Sequence, residues 1–376
     1  MSGFLRIKEW WNSKIVVLFG LIYLFLIETN LALNQVWEQF SFLALWMILA
    51  ASFGYYINDT FDLPQDELAN KANQTKSQHN LVKIFIALLI LTLIGLDWFF
   101  LSQNLLVAYL IIGQVSLFFL YSLPKIRLKE KPIVGVLTDA LYAHVLPGLI
   151  VLFTIVPPEQ ATPFLLTTFG LWMFFVGVRN ILSHHLIDYE NDKLSATVTS
   201  ATYFGKSKVK NCMNFMVSPL ESILFLSTLL YLGTPIAWIV LCFMLYVVYV
   251  YNRELIFVKE HINDWSTEQK ENYNFIGGLL LNEFYEKWLP VILLILLCTQ
   301  NVQFVFILFL HILLFMSNLK DFNKDYRIIK DLFLVRAYWF LAGIIADIFY
   351  YQSYLRLKHF VYWKIYKSLV KNDNSR

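Results

Sequence analysis

Charge is scarce in this chain. Asp, Glu, Lys and Arg make up 15% of its 376 residues, against 58% hydrophobic and 17% aromatic, whereas a soluble domain carries about 25% charged residues. The deficit excludes an ordinary soluble domain and implies an integral membrane protein. Cysteine is almost absent. Cys212, Cys242 and Cys298 form no CxxC and no metal knuckle, so neither a disulfide scaffold nor a cysteine-held zinc is expected; Cys242 and Cys298, inside apolar runs, read as small buried hydrophobes. The apolar blocks are uneven and lack the ten-residue alternation of an outer-membrane barrel, which leaves helices as the spanning element. Ala-x-Ala-type small residues do not follow the apolar stretch 15–27, so a cleaved signal peptide is not expected. The basic residues form no stripe, and nothing supports nucleic-acid binding.

Long apolar runs are what the chain has in quantity. Candidate spans are about 15–30, 40–57, 81–101, 104–121, 133–156, 164–187, 214–232 and 235–251, from run length. A more polar stretch, 252–287, follows. It reads either as a cap over a cavity or as a solvated linker. The apolar stretch 288–316 is interrupted by Thr299-Gln300-Asn301 and reads as a hairpin or as one long tilted helix, the hairpin being favoured. A last candidate covers 332–351. Ahead of the first span, Arg6, Lys8 and Lys14 with Trp10 and Trp11 suggest an interfacial helix.

Loop charges set the expected orientation. Loops 58–80, 122–132 and 188–211 hold Lys71, Lys76, Lys125, Arg127, Lys129, Lys131, Lys193, Lys206, Lys208 and Lys210, while the alternate loops near 31–39, 102–104, 157–163 and 233–234 have no Lys or Arg. The N-terminus and the basic loops are therefore expected on the cytoplasmic side.

Two acidic clusters share that side: Asn58-Asp59-Thr60-Phe61-Asp62-Leu63-Pro64-Gln65-Asp66 and Asp188-Tyr189-Glu190-Asn191-Asp192. On a continuing helix Asp59, Asp62 and Asp66 stand at i, i+3 and i+7, within about 60° of one another, although Pro64 is placed to break that helix. Asp188 and Asp192 are i,i+4 neighbours, with His184 one turn earlier. Carboxylates are costly at a bilayer and repel when paired, so two groups on one side suggest a shared cation site. Oxygen ligands without His/Cys spacing favour Mg²⁺, and Mg²⁺ commonly accompanies a phosphorylated substrate.

With these motifs the chain resembles the UbiA superfamily of intramembrane prenyltransferases. The strings at 58–66 and 188–192 are similar to that family's two aspartate motifs, and Tyr121-Ser-Leu-Pro-Lys125-Ile-Arg127-Leu-Lys129 is similar to its YxxxK element; the similarity covers about residues 10–300. The resemblance implies an all-α integral membrane protein with about nine transmembrane helices around a central cavity, formed by residues 1–300; a C-terminal helical extension, 301–376, is expected beyond it and lies outside the family's usual pattern. It implies Asp59, Asp62, Asp66, Asp188 and Asp192 as Mg²⁺ ligands, with Asp62, Asp188 and Asp192 catalytic. The implied reaction is prenyl transfer from an isoprenyl diphosphate donor to a lipophilic, aromatic acceptor, in contact with membrane lipids. Asn58, Tyr121, Lys125, Arg127, Asn180 and His184 are the expected substrate-binding residues. Two positions depart from the family: where its second motif continues with glycine and arginine, this chain has Ala196 and Val198. Lys193 or Arg127 is then the candidate replacement cation, while Lys129 and Lys131 read as topology signals.

Ionising an allylic diphosphate needs positive charge at the leaving group and electron-rich faces at the allylic cation. Tyr55, Tyr56, Phe53, Phe118, Phe119, Tyr121, Phe174 and Phe175 are the aromatic candidates. Asp139, Tyr142 and His144 in the fifth span, and Arg179, Asn180, His184 and His185 in the sixth, are intramembrane polar groups with either a functional role or a structural one, such as an Asp139–Arg179 pair. A terpene cyclase would use the same ionisation, and a transporter is the alternative from another class; charges at the membrane edge rather than the midplane disfavour transport.

Overall fold

A computed structural model describes residues 6–68, 73, 75–233, 237–247 and 281–319. Among them every regular element is helical. Seven helices are long and apolar enough to cross a membrane: α1 (Trp11–Thr29), α2 (Leu33–Leu68), α3 (Asn80–Ser102), α4 (Leu105–Ser122), α5 (Val134–Ile155), α6 (Pro163–Ile187) and α7 (Lys206–Leu232). Three shorter apolar helices follow, α8 (Ala237–Val247), α9 (Leu289–Gln300) and α10 (Phe304–Leu314). The seven spans coincide with the first seven apolar runs. Candidate 332–351 lies outside the described residues, as do most of 252–287 and the ends of 235–251.

The starts of these helices are written in the sequence. Asn104 Oδ1 accepts from the Leu106 and Val107 amides and caps α4. Thr162 Oγ1 accepts from Leu165 at the start of α6, with Pro163 in the first turn, where its missing N–H costs nothing. Prolines also shape the interiors. Wide π turns at Leu141–Val145, Met213–Val217 and Phe284–Trp288 each lie just ahead of a proline: Pro147, Pro219 and Pro290. Pro147 cannot donate to the carbonyl four residues back, and in the widened turn ahead of it Leu146 N–H reaches Leu141 O.

Burial separates central from peripheral helices. Residues Leu21–Ile27 of α1 are buried without interruption; a helix apolar all round belongs inside a bundle. α1 packs on α5 and α9, and α6 packs on α5 and α7. Gly177 permits the α5–α6 approach, since a Cβ there would stand 2.6 Å from the Ala140 Cα. The α3 window is only 17% buried against 61% for α6, so the many exposed apolar side chains of α3 (Leu81, Phe85, Leu88, Phe100) form a lipid-facing surface.

α9 and α10 are a hairpin. They separate at Asn301–Gln303, and Asn318 Nδ2 returns to donate to the carbonyls of Glu286 and Asn12. α10 covers α1 through a Tyr23 Oη–His311 Nδ1 contact of 3.2 Å and a 3.0 Å bond from Trp11 Nε1 to the Leu314 carbonyl. Trp10 is fully buried. Trp10 and Trp11 of the segment expected to lie at the headgroups are thus built into the bundle, and α10 holds Trp11 there.

Candidate functional site

At 36 residues, α2 is about 54 Å long, well beyond the ~30 Å hydrocarbon core, so its final turns carry the first acidic cluster to the membrane edge. Pro64 does not end it, contrary to the sequence expectation. The Asp59 carbonyl in this stretch accepts from Asn73 Nδ2 at 2.7 Å and Thr75 Oγ1 at 3.2 Å. These bonds tie the following loop back onto the end of α2. Asn73 Nδ2 also reaches Asp66 Oδ2 at 2.7 Å.

α6 delivers the second cluster. Asp188 closes α6 and opens the short helix Tyr189–Leu194, with a 2.8 Å bond from Asp192 N to Asp188 O. The clusters lie about 130 residues apart in sequence, yet Asp59, Asp62, Asp66, Asp188 and Asp192 all line one cavity of about 530 Å³. Asn58, Tyr121, Arg127 and His184 line it as well.

Two expected residues are not brought to it. Lys125 is exposed in the turn after α4, where Ile126 and Arg127 amides both bond back to Leu123. The backbone then passes through a left-handed residue, Arg127 at φ 36°, which swings the chain inward. Lys129 takes the place expected for Lys125: it bonds Asp62 and donates to Asn58 Oδ1 at 3.0 Å. Asn180 sits beside the cavity in a polar network instead, its Oδ1 accepting from Arg179 and from Asn282 at 2.9 Å. Arg179 pairs not with Asp139 but with Glu221 on α7, through bonds of 2.6 and 2.9 Å. Lys193 turns outward over the Tyr189 ring, leaving Arg127 as the candidate that does face the cavity.

The site's electrostatics follow from these pairings. Asp59, 3% exposed, accepts from Arg6 Nη1 at 2.9 Å. Asp62 accepts from Arg127 Nη2 at 3.3 Å and from Lys129. The Asp62, Arg127 and Lys129 side chains are all nearly buried, so little solvent screens them, unlike surface pairs. Burial lowers the Lys129 ammonium below the usual lysine range, and the Asp62 charge opposes that shift. Arg6 and Lys14 both stand 5.3 Å from the Tyr55 ring centroid.

Below the charged mouth the walls become apolar and aromatic: Leu18, Trp46, Met47, Ala50, Phe118 and Ile181. Gly54 makes room for Phe118, whose ring edge occupies the space 2.5 Å from where a Cβ would be. Of the aromatic candidates, Tyr55, Phe118 and Tyr121 line the cavity. Phe53 is fully buried in the core, Tyr56 Oη donates to Gln78, and Phe174 and Phe175 pack against an aliphatic cluster. Sequence reasoning missed Arg6, Lys14, Lys129 and Gln114 as lining residues. Arg6 and Lys14 stand out only as basic residues ahead of and at the start of the first span, and Arg6 precedes the helix in a left-handed conformation, φ 48°. Lys129, two residues after Arg127, and Gln114, a lone amide in an apolar span, offered weaker signals.

Fold and site together define an all-helical membrane protein with an acid-rimmed, aromatic-lined chamber opening at one membrane edge. The chain belongs to the UbiA prenyltransferase family, whose model matches residues 15–266. It shares its fold with solved structures of a UbiA homologue from Archaeoglobus fulgidus. The form bound to DMAPP and Mg²⁺ is 18% identical with a TM-score of 0.53, covering 75% of this chain and 96% of that one. The form bound to GPP and Mg²⁺ is 17% identical with a TM-score of 0.51, covering 75% and 96%. A structure of digeranylgeranylglyceryl phosphate synthase is 15% identical with a TM-score of 0.50, covering 80% and 96%. No curated protein matches the chain by sequence.

Proposed function

We propose that the protein transfers a prenyl group from an isoprenyl diphosphate to a lipophilic acceptor inside the bilayer, with release of diphosphate and dependence on Mg²⁺. The observation that carries this reading is the convergence of two remote aspartate groups on one chamber whose depth is apolar and aromatic.

The donor set suits Mg²⁺. All five aspartates offer oxygen, yet among the described residues no three carboxylates or imidazoles stand close enough to hold a metal alone. Mg²⁺ is commonly bound by one or two carboxylates and completed by water and substrate phosphate. Asp59, Asp62 and Asp66 on one wall, and Asp188 and Asp192 on the other, would hold it against a diphosphate. When bound, it neutralises charge developing on the leaving group. Arg127 and Lys129 add fixed positive charge at the same mouth, with little reorganisation as the bond breaks. The prenyl chain lies along Trp46, Ala50 and Phe118, which exclude water. Phe118, Tyr121 and Tyr142 present ring faces to the allylic cation, while Tyr55 is engaged by Arg6 and Lys14. The basic loops put this mouth on the cytoplasmic side.

Purified full-length protein in lipid nanodiscs, incubated with Mg²⁺ and a panel of labelled prenyl diphosphates, tests the reading by diphosphate release and mass spectrometry of lipid-soluble products. Asp62→Asn and Asp188→Asn should each cut release on the order of 100-fold or more in protein that remains folded, and EDTA should do the same reversibly. Retained release in both variants would remove these aspartates from the site. A cyclic hydrocarbon or alcohol formed without acceptor would identify a cyclase.

A further inference from the structure

A carboxylate inside a membrane protein is costly unless paired. Asp139 on α5 is only 9% exposed, and the partner expected for it, Arg179, is taken by Glu221. Its hydrogen-bond partner is a neutral phenol: Tyr142 Oη donates to Asp139 Oδ2 at 2.5 Å. Asp139 lines the chamber about 8 Å below the start of α5, deeper than the mouth. Lys14 and His184, which line the same chamber, supply compensating charge.

Gln114 gives a second, independent indication. It is 3% exposed, it lines the chamber, and its Oε1 has no hydrogen-bond partner among the described residues. Its Nε2 is fixed by donation to the Tyr142 carbonyl at 3.0 Å; the reversed amide would oppose two carbonyl oxygens. A buried, unpartnered acceptor of this kind is expensive and calls for a donor on whatever occupies the chamber. Asp139 and Gln114, both fixed through Tyr142, therefore form a wall that only accepts hydrogen bonds.

We propose that this wall is the acceptor subsite, that the acceptor is a hydroxyl compound, and that Asp139 is the base that takes its proton. This rests on the prenyl-transfer reading and names its acceptor class. The donor C1–O bond breaks with its electron pair leaving on diphosphate. The acceptor oxygen forms the new C1–O bond, and its O–H proton passes to Asp139. Gln114 Oε1 receives a second donor on the acceptor. Tyr142 is a positioning residue, holding the carboxylate toward the chamber.

The test uses full-length protein with Mg²⁺, geranyl diphosphate and five probes: 1-butanol, phenol, catechol, 4-nonylphenol and, as the blocked control, anisole. Geranyl ethers should form with hydroxyl probes and nothing with anisole. Asp139→Asn should lower ether formation about 100-fold, the scale of a lost general base, with donor KM within twofold of wild type. Tyr142→Phe should lower the acceptor-dependent kcat about tenfold, again without moving donor KM. Ring alkylation of anisole, donor cleavage without transfer to any hydroxyl probe, or full transfer by Asp139→Asn would each overturn the proposal, as would loss of transfer in His185→Ala with Asp139→Asn unaffected. If wild-type protein releases no diphosphate from any prenyl donor, it is the parent reading that fails.

Discussion

Replacing Lys129 by Ala separates the structural reading of the donor site from the motif-based one. The YxxxK string assigns the donor contact to Lys125, whereas the backbone turn after α4 presents Lys129 to the chamber and leaves Lys125 in solvent. A hydrogen bond to a charged group contributes about 1.5–3 kcal/mol net. Lys129 is already engaged with Asp62 and Asn58, so on binding diphosphate it exchanges one anion for another, and only the difference appears in affinity. Asp62 also retains Arg127 at 3.3 Å. The expected loss is therefore at the lower edge, about 1.4 kcal/mol, a tenfold rise in donor KM. Lys125→Ala, acting only on an exposed charge, should change it less than about threefold. The assay is diphosphate release against donor concentration at saturating Mg²⁺. A tenfold rise for Lys125→Ala with no change for Lys129→Ala would refute the argument from the turn.

Two further outcomes probe the scaffold. Arg179→Met leaves Glu221, 0% exposed, as an unpaired buried charge and should destabilise the protein by about 3–5 kcal/mol. The double variant Arg179→Met with Glu221→Leu should recover most of that in thermal unfolding in one detergent, and equal stability of single and double variants would dismiss the coupling. Ala196 occupies a left-handed conformation, φ 53°, where the family pattern has glycine, so Ala196→Gly should stabilise by up to about 1 kcal/mol. An unchanged or lowered unfolding temperature would show that the loop relaxes differently.

The parts of this fold that could be read from the chain are those with local periodicity. Seven spans emerged from run length, and the aspartates of α2 emerged because i, i+3 and i+7 spacing places them on one face; Asp188 and Asp192, read as i,i+4 neighbours, stand at the end of α6 and in the short helix after it. What could not be read is which cation meets which anion. A lysine that obeys the positive-inside rule and a lysine that contacts a ligand are identical in composition and position, and Lys125 and Lys129 differ only through the conformation of the turn between them. Pro64 misled in the same way: proline disfavours a helix locally, but this helix runs on to Leu68, and Asn73 and Thr75 of the following loop bond back to it.

The N-terminus carries that argument furthest. Tryptophans beside lysines before a first span ordinarily mark the headgroup layer. Trp10 is buried nevertheless, and the Trp11 indole bonds to Leu314, a residue about 300 positions away. Arg6 and Lys14, on the same segment, line the chamber, where Asp59 and the Tyr55 ring receive them. The α9–α10 hairpin thus shapes the charge of a site to which, among the described residues, it contributes no lining side chain. Changes at the α1–α10 contact, such as Trp11→Ala or His311→Leu, should therefore raise donor KM along with lowering stability, and a purely stability-linked loss with unchanged donor KM in the folded fraction would sever that link.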